Sequence, residues 1–148
     1  MDIRSALTQL IAVQDGLSIT DPIVASIEKA WTYMIPQNSI APDTPCWMNT
    51  WRMDREERGS SVRRQFYTIN MQLLVRDADQ ERAADIATAF HVALVTALDG
   101  NLTLSGSVKT QTLRGGDPTL FVVDRGGLAF IGLDEFLDLE LWDAATFA

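Results

Sequence analysis

Reactive side chains are nearly absent from this 148-residue chain, which holds one cysteine, Cys46, and one histidine, His91. A lone cysteine excludes an internal disulfide and fits a reducing cytoplasm. One Cys and one His also fall short of the usual zinc sets, which need at least three nitrogen or sulfur ligands unless carboxylates fill in. Any Ser-His-Asp or Cys-His nucleophile would have to use His91. That residue lies beside Phe90 at the edge of a helical apolar stripe, where a partly buried structural role is expected. Cys46 follows Pro45 in a strand pattern and reads as a small core residue. Long apolar runs are missing too. Asp2 and Arg4 stand where a secretion signal would begin its apolar stretch, so neither a signal peptide nor a transmembrane helix is expected. Gly115-Gly116 and Gly126-Gly127 match no phosphate-loop spacing and read as turns.

What is present is enough apolar residue for a core. At 47% hydrophobic, a chain of this length suits one domain spanning 1–148 without disulfide or metal staples. The formal net charge is −8, which argues against bulk nucleic-acid binding, because that requires phosphate neutralisation. The charge is uneven. Arg52, Arg55, Arg58, Arg63 and Arg64 crowd one stretch against Asp54, Glu56 and Glu57. Asp134, Glu135, Asp138, Glu140 and Asp143 crowd another with no base among them. A basic segment and an acidic strand on one molecule can meet head to tail between identical copies, and heterologous contacts of that kind build rings. Two solvated surfaces are the plainer reading.

Periodicity supplies the elements. Ile3, Ala6, Leu7, Leu10, Val13 and Leu17 recur at helical spacing after Asp2, a good N-cap, and Gly16 terminates the run. Asp21-Pro22 suits a short helix start, whereas Ile27–Tyr33 fits helix and strand equally. Pro36, Pro42 and Pro45 bracket a loop. Cys46 to Met53 reads as a strand, with Trp47, Asn49 and Trp51 on one face and Cys46, Met48 and Thr50 on the other. Residues 52–64, with Gly59-Ser-Ser61 inside them, read as a protruding charged hairpin loop that leads into the strand Phe66–Val75. There Tyr67, Ile69, Met71, Leu73 and Val75 alternate with polar residues.

After Asp77 or Asp79 comes the clearest helix, with Ala83, Ile86, Ala87, Phe90, Leu94, Ala97 and Leu98 on one face and Gly100 at its end. Strands follow at about Ser107–Leu113, Leu120–Val123, Leu128–Ile131 and Phe136–Trp142. In the last, Leu137, Leu139 and Leu141 form the core face, and Asp138 and Glu140 the wet one. The fold class is α+β: a mixed or antiparallel sheet carrying a long amphipathic helix and an N-terminal helix.

The acid pairs Asp77/Asp79 and Glu56/Glu57 are structural on this reading, one at a helix start and one in a salt-bridged loop. A hydrolase built on Asp77, Asp79 and His91 would need those side chains to converge, yet His91 lies more than three helical turns from Asp79. No catalytic, cofactor or metal site is expected. Trp51 beside Arg52 has the composition of an interface anchor.

Laid out this way, the chain resembles tail terminator proteins of long-tailed bacteriophages over nearly its full length. The resemblance lies in the order of elements: an N-terminal helix, the proline-punctuated Pro36–Pro45 segment leading into Cys46-Trp-Met-Asn-Thr-Trp51, a long hairpin, the helix Asp79–Leu98 and closing strands. Gln72-Leu-Leu-Val-Arg-Asp77 and Gly132-Leu-Asp-Glu-Phe-Leu-Asp-Leu139 are similar to stretches of tail and neck proteins. The resemblance implies a non-enzymatic virion protein, assembled in the host cytoplasm and located at the head-proximal end of the tail. It would form a ring, a hexamer in that family, which caps the tail tube, stops its polymerisation and joins the head connector. DNA would pass the lumen without specific binding, and no membrane would be involved. On this reading Arg52, Arg55, Arg58, Arg63, Arg64 and Trp51 face a neighbouring subunit or the tail tube, with Asp138 and Glu140 as the complementary acidic side. A head-closure or tail-completion protein is the nearest alternative, and a small cytoplasmic binding module the next.

Overall fold

The computed structural model describes residues 1–33, 42–59, 61–114, 119–125 and 127–144. The elements run α1 (Ile3–Asp15), β1 (Ser18–Ile19), β2 (Ala25–Ser26), β3 (Lys29–Trp31), β4 (Cys46–Arg58), β5 (Val62–Val75), α2 (Gln80–Asp99), β6 (Thr110–Leu113), β7 (Thr119–Arg125) and β8 (Leu128–Ala144). The class is α+β. Six strands form one sheet in the order β3-β4-β5-β8-β6, with β7 also paired to β8. Every pairing in it is antiparallel except β3 with β4.

Each helix starts where an aspartate can cap it. The Asp2 carboxylate accepts from the Ser5 amide at 2.7 Å. Asp79 accepts from the amides of Glu81 and Arg82 at 3.0 and 3.3 Å. Asp77 instead pairs with the Arg82 guanidinium at 2.9 Å. Asp2 and Asp79 thus satisfy first-turn donors and favour the helix dipole. The α2 stripe Ala83, Ile86, Ala87, Phe90, Leu94 and Leu98 is buried. It packs with Leu7 and Leu10 of α1 onto Trp47, Ile69, Met71, Leu73, Leu133, Leu137, Leu139 and Leu141. Those strand residues alternate along β4, β5 and β8, so both helices cover one face of the sheet.

Several expectations are corrected. No helix follows Pro22; β1 and β2 form a small ribbon and Lys29–Trp31 joins the sheet beside Cys46–Met48. The Ala30 amide donates to the Asp15 carboxylate at 2.8 Å, which ties this edge strand to the end of α1. The strand expected from Ser107 begins only at Thr110, because Leu104, Ser105 and Gly106 take left-handed backbone angles in the preceding turn. The two strands expected at 128–131 and 136–142 are one 17-residue strand. Gly132, within it, makes no turn. It lies opposite Phe121, and a Cβ there would stand 2.8 Å from the ring. The 52–64 segment is also strand rather than loop over most of its length. Pairing continues to Arg58 opposite Arg63, with one bulge between Met53 and Arg55. The Pro36 and Gln37 end of the expected proline loop, and Gly115-Gly116, lie outside the described residues.

A polar pair sits inside the core. Gln14 and Asn49 are both fully buried. Their amides exchange hydrogen bonds at 2.9 and 2.8 Å, and Asn49 also donates to the Trp31 carbonyl at 2.9 Å. The pair fastens α1 to β4 and β3 at one register. Asn49→Leu should cost about 1–3 kcal/mol, because it leaves the Gln14 amide buried without a partner. Gln14→Leu with Asn49→Leu should recover most of that loss. Urea denaturation of the three proteins measures both, and a double variant no more stable than the single one would refute the pairing argument.

Candidate functional site

The sheet has two unlike faces. Helices cover one. On the other, Cys46, Met48, Leu74 and Phe130 form a small buried cluster at one end. The rest of that face is polar and aromatic, and among the described residues neither helix covers it. Register sets its pattern, because cross-strand partners point the same way. Asn70 stands opposite Phe136, Thr68 opposite Asp138, Phe66 opposite Glu140 and Arg64 opposite Trp142. The aromatic rings carry cations. Arg55 lies 3.9 Å from the Phe66 centroid, Lys109 4.4 Å and Arg64 4.9 Å from Trp142, and Arg114 5.1 Å from Phe136. A folded chain of this length shows about two such contacts, so four on one face mark it as a built surface.

The bulge aims a carboxylate onto this face. Asp54 accepts from the Thr68 hydroxyl at 2.5 Å and from Arg52 at 2.9 Å. Its carboxyl is held below the ordinary carboxylate range, chiefly by the Thr68 hydroxyl and also by Arg52. Asp138 receives Arg114 at 2.8 Å and stands 3.2 Å from the same hydroxyl. Arg114 is correspondingly raised by Asp138.

The structure thus brings the expected basic and acidic groups together within one chain. The acidic strand is an inner one, flanked by β5 on one side and β6 and β7 on the other. Asp138 is occupied by Arg114, and Glu140 accepts from the Trp142 indole at 2.6 Å. Arg63 pairs with Asp143 at 3.0 Å and with Glu56 at 3.3 Å. Arg52, Arg55 and Arg58 pair with acids of their own strand at 2.9, 3.4 and 3.6 Å, yet their side chains remain 70%, 62% and 73% exposed. Exposed pairs of this kind contribute little and exchange partners easily. These three arginines are therefore the ones available to another surface, and Arg63 is the least available. Trp51 is 48% exposed and meets Tyr67 edge-on at 5.7 Å.

Sequence reasoning missed one buried group. Glu135 is 4% exposed and lies on the helix-covered face, where its Oε1 pairs with His91 Nδ1 on α2. Its Oε2 has no hydrogen-bond partner among the described residues. Burial raises its carboxyl above the ordinary range, opposed by the charge and hydrogen bond of His91. The signal was legible: Glu135 shares the parity of Leu133, Leu137, Leu139 and Leu141, so an acid occupies a core position. His91 is thus partly buried and held against Glu135. Asp77 and Asp79, at the far end of α2, do not join it. Among the described residues no three His, Cys, Asp or Glu side chains gather as for a metal, and no helix is long and apolar enough to cross a membrane. No family model matches the chain, and no curated protein matches it in sequence.

His91→Ala should be destabilising by about 3 kcal/mol at pH 8, since it strands the Glu135 carboxylate in the core. A raised carboxyl contributes stability that is present at acid pH and lost as pH rises through its folded value. Without the imidazole the carboxyl climbs further, so the deficit should shrink between pH 8 and pH 5. Thermal unfolding across that range checks it. A deficit independent of pH would refute the charge argument.

Proposed function

We propose that this chain is a ring-forming structural protein of a phage tail, the terminator that caps the tail tube and presents a joining surface to the head connector. Its partners are then further copies of itself, the major tail tube protein and a connector protein. Two features support the reading. The helices, the long hairpin and the closing strands on which the sequence's resemblance to terminators rests are present in the fold. Above all, the hairpin of β4 and β5 runs from the buried Cys46–Asn49 segment into a stretch, Trp51–Arg58, that is exposed throughout. Strands this long and charged, paired on a rigid sheet, suit contact with a large partner better than capture of a small molecule.

The arginines carry the test. Arg55→Glu with Arg58→Glu should abolish capping of polymerising tail tube protein, read as loss of length control by electron microscopy. The monomer should keep its melting temperature within a few degrees, because exposed pairs hold little stability. Arg63→Glu should lower the melting temperature more, through Asp143 and Glu56. Normal capping by the Arg55/Arg58 variant would overturn the assignment of these residues. Wild-type protein that neither binds nor caps the tube would overturn the function.

A further inference from the structure

The sheet ends in two free edges with matching side chains. β3 pairs β4 only along Cys46–Met48, and no described strand pairs the outer edge of β4 beyond it. β7 pairs β8 alone, so its outer edge is open among the described residues. Free edges are templates for another strand, and chains guard them with charge and bulges. β4 is guarded so from the Met53–Arg55 bulge onward, where charged residues follow one another to Arg58. Thr50–Met53 is not.

On that unguarded stretch Trp51 and Met53 are exposed at 48% and 44%; on β7 Leu120 and Val122 are exposed at 45% and 59%. Trp51 and Met53 lie opposite Ile69 and Tyr67, and Leu120 and Val122 opposite Leu133 and Ile131. All four therefore project from the helix-covered side of the sheet. Each free edge carries two apolar side chains at alternate positions on the same face.

We propose that β4 of one copy pairs antiparallel with β7 of the next, Trp51 beside Val122 and Met53 beside Leu120. Strand direction permits it: β4 and β8 run one way, β5 and β7 the other, so copies set side by side bring β4 and β7 together antiparallel. In that register residues 120–124 of the neighbour run along residues 49–53, the stretch of edge between the end of β3 and the bulge. Arg52 then faces Phe121 of the next copy, repeating the arginine–aromatic pairing found within the sheet.

The stagger of the edges sets the inclination of the strands. Trp51 stands level with Leu137 of β8 and Val122 level with Ile131, a stagger of six positions. Six positions are about 20 Å along a strand, and the four strands β4, β5, β8 and β7 span about 19 Å across. The strands are thus inclined by about 45° to the ring axis, close to the inclination in closed barrels. A β4-to-β7 contact is heterologous, so it yields a ring when the rotation closes and a filament when it does not. The helices lie outside, as in barrels wrapped by helices, and the arginine–aromatic face lines the channel. The ring rests on the function proposed above; the pairing of edges does not.

The experiment is oxidative cross-linking of Met53→Cys/Leu120→Cys, with each single variant as control and light scattering on the wild-type chain. Cys46 is fully buried and does not compete. The double variant should give a disulfide ladder of several copies, and the single variants none. Leu120→Lys with Val122→Lys should reduce the wild-type assembly to monomer while far-UV circular dichroism stays unchanged. A dimer from Met53→Cys alone would show β4 pairing with β4 and overturn the proposal. An oligomer without the ladder overturns the edge assignment and leaves the function standing. A wild-type monomer at every concentration overturns the self-pairing, and the tail-tube assay then decides the function separately.

Discussion

The ladder between β5 and β8 is the constraint on which the rest of the structure depends. All 14 residues of β5 find a partner on β8. A shift of one residue would turn Leu133, Leu137, Leu139 and Leu141 out of the core and bring Asp134, Asp138 and Glu140 into it. Burial of those leucines holds the register with several kcal/mol in hand. Each polar alternate is then forced onto the open face, and the pairing of Phe66, Arg64 and Asn70 with Glu140, Trp142 and Phe136 follows without further choice. The length of β8 has a second consequence. It offers its other edge to two strands at different heights, β6 and β7, and so places the edge of β7 away from the hairpin.

Much of this was legible in the sequence, and the failures share a cause. The period of two in Tyr67–Val75 and Leu137–Trp142 and the helical stripe from Ala83 to Leu98 are local signals, and all three elements stand where they were expected. What local pattern could not carry was the continuation of strands through residues that usually end them. Gly132 reads as a break until Phe121 lies across it. Asp134 reads as a loop residue until Gln72 of the neighbouring strand donates to it. The glycine and serines at the hairpin tip suggested a loop, whereas ladder hydrogen bonds run to Arg58. In each case a distant strand overrides the residue's own preference.

The candidate surface was legible by composition and misread in its arrangement. Five arginines and five acids were visible as two clusters, and two clusters suggest two surfaces that attract each other between copies. The sheet places them on adjacent strands instead, so Arg63 meets Asp143 inside one chain, and Arg114, from outside the basic cluster, meets Asp138. Sequence separations of 80 and 24 residues hide that adjacency. Neutralised internally, these groups offer no long-range attraction between copies. They leave a face of balanced charge whose arginines are already stacked on aromatic rings.

That redistribution changes which physical force can join one copy to another. Charge on the open face is largely spent within the chain, and screening at physiological ionic strength weakens what remains beyond about 8 Å. Backbone hydrogen bonding at a free strand edge is neither screened nor spent. It is also directional, which unlike-charge attraction is not, and a ring needs a fixed angle between neighbours more than it needs strong attraction. The bulge at Met53–Arg55 and the charges beyond it then take on a limiting role. They end the pairing edge after Met53, so that five positions, 49–53, remain for residues 120–124 of a neighbouring β7 and a longer pairing does not fit. On this argument the charged hairpin beyond the bulge is kept out of the contact between copies and left free for a different partner.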